Sequence, residues 1–244
     1  MYKRQVVDRL RRAINPFNDA VSYFQIKKLI RQLQPDIVHT HSAKAGILGR
    51  FAGYKLKTQN SKLKIIHAIH GLAFHPYQSA ALNKFYIAVE KSAARRTDFF
   101  ISVADAMTAQ ATAVEIGKPE QYIKAYSAID EDDFLEPISQ DKKRDFRRKY
   151  GIAEDAVVLV TVARLFMLKG HEYIIESARE LSKRFENCAW LFVGDGNLSE
   201  HYKQQARELG LADRIKFTGL LPPSQIPLAI QSSDMLVHLS LIHI

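Results

Sequence analysis

An α/β fold with two parallel-sheet domains is predicted by three features of the sequence. Short β-rich apolar runs alternate with longer stretches of helical period from Asp36 to the end, the order expected of strand–helix–strand units. A break in pattern near Pro137 separates two such series. With 47% hydrophobic and 25% charged residues among 244, the chain has enough apolar material for two cores.

The strands expected are Ile37–His41, Lys64–His70, Asp98–Val103, Tyr122–Tyr126, Val157–Ala163, Cys188–Val193, Arg214–Thr218 and Met235–Leu239. Between them, Ile26, Leu29, Ile30 and Leu33 recur at helical spacing, as do Ile174, Ala178, Leu181 and Phe185, so each set forms one apolar stripe to lay on a sheet. The acidic turn Asp130-Glu131-Asp132-Asp133 gives way after Pro137 to a charged helix, Asp141 to Tyr150, and then a fresh strand. This places one domain at 1–137 and a second at 138–244. No internal repeat or low-complexity tract interrupts either.

The single Cys188 excludes a disulfide framework and a thiolate zinc cluster. No apolar run is long enough to cross a bilayer, and the opening Met1-Tyr2-Lys3-Arg4-Gln5 leads into charged residues rather than a signal core. The expectation is a cytoplasmic protein. Residues 1–137 hold 20 Lys/Arg against 13 Asp/Glu, whereas residues 138–244 hold 15 against 13. The basic bias of the first half serves solubility or attracts an anionic partner, such as a lipid surface at the inner membrane face or a phosphorylated acceptor. Nucleic acid is not expected, because the basic residues are not interleaved with aromatics in a binding motif.

The segment most informative about chemistry is Val157 to Ala163, a buried-strand pattern, followed by Arg164, a short loop, Lys169 and Gly170, and then a helix. Two cations and a helix N-terminus at the carboxyl end of a parallel strand suit a diphosphate, because ligands of such sheets bind at that edge. Solvated loop charges are the plainer reading of the same two residues. Leu191-Phe192-Val193-Gly194-Asp195-Gly196 makes a second strand-to-helix turn, where Gly194 and Gly196 permit close backbone approach by a nucleotide or simply connect strand to helix.

These stretches resemble, in order, the donor-domain motifs of family 4 glycosyltransferases, and Lys216-Phe217-Thr218-Gly219 before Pro222-Pro223 resembles the motif that follows. In the first half, Pro35-Asp36-Ile37-Val38-His39-Thr40-His41-Ser42 and Ile69-His70-Gly71 are similar to that family's acceptor-domain strands and loops. The resemblance runs from about Pro35 to Leu239 and implies the fold called GT-B, two Rossmann-like α/β/α domains facing across a cleft. It implies sugar transfer from a nucleoside diphosphate sugar to a glycan or lipid-linked acceptor, with retention of configuration and no obligatory metal or other cofactor. Arg164, Lys169 and Gly170 would then bind the donor diphosphate, Gly194, Asp195 and Gly196 would lie near the nucleotide, and His41 and Ser42 would lie on the acceptor side. His70 would be the catalytic imidazole, although a lone His at a strand end serves equally well as a hydrogen-bonded structural residue.

Two departures from the family pattern stand out. Ser127-Ala128-Ile129-Asp130 occupies the place where many relatives have Asn-Gly before Ile-Asp. The family's pair of Glu residues, seven apart, would follow the strand ending near Leu239, and the sequence stops first. Met1–Gln5 and Leu241–Ile244 match nothing expected of the family. The expectation is therefore of a fragment with both domains incomplete, inactive by itself or acting at most as a nucleotide-binding module.

Two other enzyme classes fit less well. A nicotinamide-dependent oxidoreductase is prompted by Gly194-Asp195-Gly196, but Ser199 stands at the third glycine position and no acid ends the following strand. A metal-dependent hydrolase is prompted by His39, His41, His67, His70 and His75, but no carboxylate cluster accompanies them.

Overall fold

A computed structural model describes residues 6–239 apart from Arg12, Gln59 and Asn60. The stretches Met1–Gln5 and Leu241–Ile244, singled out in the sequence, lie outside the described residues. The chain parts into two compact units between Ala128 and Ile129.

The first unit runs α1 (Pro16–Leu33), β1 (Ile37–His41), α2 (Ala43–Lys57), β2 (Lys64–Ile69), α3 (Ala80–Ala94), β3 (Phe99–Ser102), α4 (Asp105–Ala113) and β4 (Tyr122–Lys124). Its four strands are parallel and lie in the order β1-β2-β3-β4. Pro16 opens α1 behind the N-cap Asn15, whose side chain accepts from the Asn18 amide at 3.0 Å. Leu33, expected on the apolar stripe, is the last residue of α1 and 56% exposed, because Gln34 turns left-handed directly after it. Helix α1 packs on α2, and α2 packs on β1 and β2.

That approach is close. A Cβ on Gly46 would lie 2.4 Å from the His67 ring, and one on Gly49 would lie 2.7 Å from Thr40 Cγ2. Ile69, Ala94, Phe100, Met107, Ala111 and Ile116 form the core under β2 and β3. Phe100 stacks on Tyr122 with ring centroids 4.8 Å apart. The other face of β1 shows Ile37, His39 and His41 to solvent, by the simple alternation of a strand.

The second unit runs α5 (Asp132–Leu135), α6 (Gln140–Lys149), β5 (Val157–Val162), α7 (His171–Leu181), β6 (Cys188–Val193), α8 (Ser199–Glu208), β7 (Ile215–Gly219), α9 (Ile226–Gln231) and β8 (Met235–Leu236). Its parallel strands lie in the order β7-β6-β5-β8. Strand β6 feeds a core on each face. Trp190 and Phe192 pack with Ile174, Ile175, Ala178 and Tyr202, while Ala189, Leu191 and Val193 pack with Phe146, Val158, Val160 and Ala229. This two-sided burial is why β5 and β6 read as nearly unbroken apolar runs rather than alternating ones.

Four segments differ from the sequence reading. Residues 129–137 belong with the second unit, because Gln231 of α9 donates to the Phe134 and Glu136 carbonyls at 3.0 and 2.8 Å and accepts from the Ile138 amide at 3.1 Å. Phe185 lies beyond the end of α7 and is 54% exposed rather than on its buried stripe. The expected strands at 122–126 and 235–239 contract to three and two residues, the positions in ladder register with β3 and β5.

The glycine contacts of α2 make the first prediction. Gly46→Ala forces the helix off His67 and lowers the stability of the first unit by about 1–3 kcal/mol, the usual cost of overpacking. Gly71, with nothing within 4 Å of an added Cβ, serves as the control. Gly71→Ala stays within about 0.5 kcal/mol of the parent in urea denaturation followed by circular dichroism.

Candidate functional site

Each unit brings its predicted site residues to the carboxyl ends of its parallel strands. In the second unit the loop after β5 is held by backbone bonds to the turn after β6. The Ala163 amide donates to Val193 at 3.0 Å, Leu165 donates to Asp195 at 3.1 Å, and Leu198 donates back to Leu165 at 3.1 Å. Contact this tight demands glycine. Gly194 sits at φ 137°, and a Cβ there would lie 2.2 Å from the Ala163 carbonyl oxygen; one on Gly196 would lie 2.1 Å from that of Leu165. The bare sides of both glycines are thus filled by the neighbouring loop, which gives them a role inside the fold. Asp195 accepts from the Gly196 amide at 2.8 Å, an Asx contact that stiffens the turn.

Leu165 is buried and anchors the loop, which leaves its neighbour Arg164 exposed at the edge of the sheet. The guanidinium lies 5.7 Å from the Phe166 ring centroid, and among the described residues it has no carboxylate partner. Lys169 follows, partly buried, and Gly170 at φ 74° is the N-cap of α7. The first amides of that helix have no intrahelical acceptor, and its dipole favours an anion at this end. Arg164, Lys169 and Gly170 are therefore brought to one loop, as the sequence spacing implies.

The sequence reading missed His171. It is the first residue of α7, is fully buried, and neither ring nitrogen has a hydrogen-bond partner among the described residues. Its ring packs on Phe192 and Tyr202, with centroids at 5.0 and 5.4 Å. Burial lowers its pKa to about 4, with Glu172 opposing the shift. The only signal in the sequence is a polar residue at the start of an amphipathic helix, which ordinarily faces water. Tyr202 donates to Glu172 at 3.0 Å, and its own pKa is raised, first by burial and then by that carboxylate.

In the first unit, His41 and His70 meet. His41 Nδ1 is 2.9 Å from His70 Nε2, so one proton is shared between two exposed rings that stack with centroids 5.2 Å apart. His39 lies against His41 at 4.3 Å, and its pKa is lowered by burial and by the two neighbouring imidazoles. Ser42, at φ 60°, starts α2 and accepts from the Gly46 amide at 2.9 Å. Among the described residues, no group of three or more His, Cys, Asp or Glu side chains has the arrangement to hold a metal ion. His75, far along the loop, packs near Tyr77 instead. No helix of the described residues is long and apolar enough to cross a membrane.

Two mixed α/β units with parallel sheets, each presenting its chemistry at the strand carboxyl ends, define the GT-B class of fold. Solved structures agree. Anabaena Alr3699/HepE in complex with UDP-glucose matches 92% of this chain and 58% of its own with a TM-score of 0.73 at 19% identity. WaaG, a glycosyltransferase involved in lipopolysaccharide biosynthesis, matches 93% of this chain and 60% of its own with a TM-score of 0.67 at 17% identity.

The chain belongs to the glycosyltransferases: residues 3–123 match the glycosyl transferase 4-like domain and residues 142–242 the glycosyl transferases group 1 domain. Among curated relatives it is 30% identical over 230 residues to "Putative glycosyltransferase EpsD" of Bacillus subtilis (strain 168), covering 93% of this chain. It is also 27% identical over 241 residues to the UDP-Gal:alpha-D-GlcNAc-diphosphoundecaprenol alpha-1,3-galactosyltransferase of Escherichia coli, covering 95% of this chain. The chain spans 58% of the length of each of these two relatives.

The buried His171 makes the second prediction. Its folded pKa, about 4, lies below the ordinary 6.5. Above pH 6.5 the ring is neutral in both states and nothing is lost; as pH falls from there toward 4 the unfolded chain takes up a proton that the folded one refuses. Stability drops through that window, by about 2 kcal/mol at pH 5 from this group. His171→Leu removes that slope and leaves no buried nitrogen unpartnered. Fluorescence of Trp190, the single tryptophan and buried in the same core, reports the unfolding of this unit in urea at pH 7.5 and 5.0.

Proposed function

We propose that this chain is part of a glycosyltransferase that moves a sugar from a nucleoside diphosphate carrier to a glycan or lipid-linked acceptor in cell-envelope glycan synthesis, with retention of configuration. The observation that carries this reading is the exposed Arg164 guanidinium at the carboxyl edge of β5, without an ion-pair partner among the described residues and beside the N-terminus of α7. Breaking a glycosyl–phosphate bond accumulates negative charge on the departing diphosphate. A planar, always charged guanidinium takes two phosphate oxygens at once, and the ammonium of Lys169 and the helix amides add to the same field. Those cations do the work that a metal does in other phosphate chemistry, so no obligatory metal is expected. Gly194, Asp195 and Gly196 lie at the neighbouring strand end, where the nucleotide would pass.

On the acceptor side, His70 and His41 share a proton, and this lets the His70 ring keep a fixed orientation while facing sugar hydroxyls. Ser42 stands beside them at the start of α2. The names of the relatives support the substrate classes: one uses UDP-Gal and a diphosphoundecaprenol acceptor, and HepE binds UDP-glucose. A basic first half also supports peripheral contact with an anionic membrane at its cytoplasmic face. On α1 the exposed Phe17 and Phe24 stand seven residues apart, on one side with the exposed Lys28 and Arg31.

Two measurements test this reading. Arg164→Ala weakens binding of a nucleoside diphosphate by about 1.5–3 kcal/mol and leaves the nucleoside unchanged, because the lost contact is a charge-assisted one to phosphate. Calorimetry with both ligands decides it, and equal losses would assign Arg164 to packing. Lys169→Ala follows the same pattern more mildly. For the membrane, the chain co-sediments with phosphatidylglycerol vesicles at low salt and not with phosphatidylcholine. The double variant Phe17→Ser, Phe24→Ser reduces that fraction severalfold, and an unchanged fraction would sink the α1 contact.

A further inference from the structure

Beneath His70 the carboxyl end of β2 lines a cavity of about 50 Å³, walled by Ser42, His67, His70, Gly71, Glu90 and Ile116 among others. A void of that size has room for a small polar group, since about 10–15 Å³ on this measure holds one water. Of its walls, Glu90 belongs to a buried ion pair. Arg50 is fully buried; its Nε donates to the Gly46 carbonyl at 3.0 Å and its Nη2 to Glu90 Oε2 at 2.7 Å, while Nη1 has no partner among the described residues. Glu90, only 8% exposed, is thereby held by one oxygen, and its Oε1 takes no hydrogen bond from a described residue.

His67, 5% exposed, has Nδ1 2.9 Å from Thr40 Oγ1. Burial, and then the Arg50 charge, lower its pKa to about 3, so the ring is neutral. Arg50 and Glu90 cancel each other at contact distance, and a neutral imidazole adds no charge. The cavity therefore offers hydrogen bonds without net charge. A phosphate or an ammonium would lose its hydration there with no opposite charge to compensate. A hydroxyl group suits it, because it donates to the carboxylate oxygen and can pair with an imidazole nitrogen as well.

We propose that this cavity receives a hydroxyl-bearing arm of the neutral sugar that accepts the transferred glycosyl group, with Glu90 as its hydrogen-bond acceptor. Arg50 is the positioning residue that holds the Glu90 carboxylate in place from the buried side. The assignment rests on the glycosyltransferase reading and deepens its acceptor side, since Ser42 and His70 border the same space.

The probe is a methyl hexoside, followed by saturation-transfer NMR on the whole chain, with nucleoside diphosphate binding measured in parallel by calorimetry. The parent chain transfers saturation to the hexoside, most strongly to the protons of one hydroxyl-bearing arm. Glu90→Gln, which keeps a hydrogen bond for Arg50, weakens the hexoside at least tenfold. Ala73→Leu fills the cavity from its wall without touching the ion pair and weakens it as much. Both variants bind nucleoside diphosphate as the parent does. A parent that binds nucleotide but no hexoside, or hexoside binding that survives Ala73→Leu, overturns the cavity assignment alone. A parent that binds hexoside with these sensitivities but no nucleotide supports the cavity and removes the donor reading instead.

Discussion

The loops that follow β5 and β6 share backbone hydrogen bonds, and the placement of Arg164 depends on them. Leu165 is bonded both to Asp195 and to Leu198, so its side chain is driven into the core and its predecessor is driven out. No side chain of Arg164 itself contributes to this. The orientation of the cation is a property of amides and carbonyls, which makes it independent of the flexible stem that carries the charge. Gly194 is indispensable to the arrangement because the Ala163 carbonyl occupies the space its Cβ would need. In the proposed role, a cation whose direction is set by the main chain is pre-organised for an anion, and little reorganisation is required when charge develops.

Much of this was legible in the sequence, for identifiable reasons. Strands β5 and β6 are buried on both faces, so each announces itself as an unbroken apolar run, and the change to helical period after Gly170 marks the turn where the cations lie. The loop residues Arg164 and Lys169 could be placed because a strand end and a helix start are local events. What escaped were pairings between distant segments. Arg50 and Glu90 are 40 positions apart, and nothing local distinguishes either from a surface charge. His41 and His70 are 29 apart and meet only because β1 and β2 are neighbours in parallel register.

The errors share a second cause. Phe185 continues a helical stripe in period but falls beyond the end of α7, and Leu33 falls on the last residue of α1, so periodicity alone carries a buried stripe up to or past a helix stop. His171 failed in the opposite direction: a polar residue at a helix start ordinarily faces water, and here tertiary packing against Phe192 and Tyr202 overrides that tendency. The domain border moved for a similar reason. Pro137 breaks the pattern, yet Gln231, almost a hundred residues later, ties the segment on both sides of it to α9.

Both sheets use one device where a late strand joins. Asp98, just before β3, accepts from the Ile65 amide at 2.8 Å and pairs with Lys57; Asp234, just before β8, accepts from the Val158 amide at 2.7 Å and pairs with Arg147. In each case the carboxylate meets the backbone of the adjoining strand at its entrance and ties the two strands together there. For β8 the partner amide lies 76 positions earlier and the ladder itself spans two residues. Closing so long a loop is slow, and parallel pairing offers no hairpin to speed it. The carboxylate therefore marks the register of a strand whose own ladder is too short to specify it.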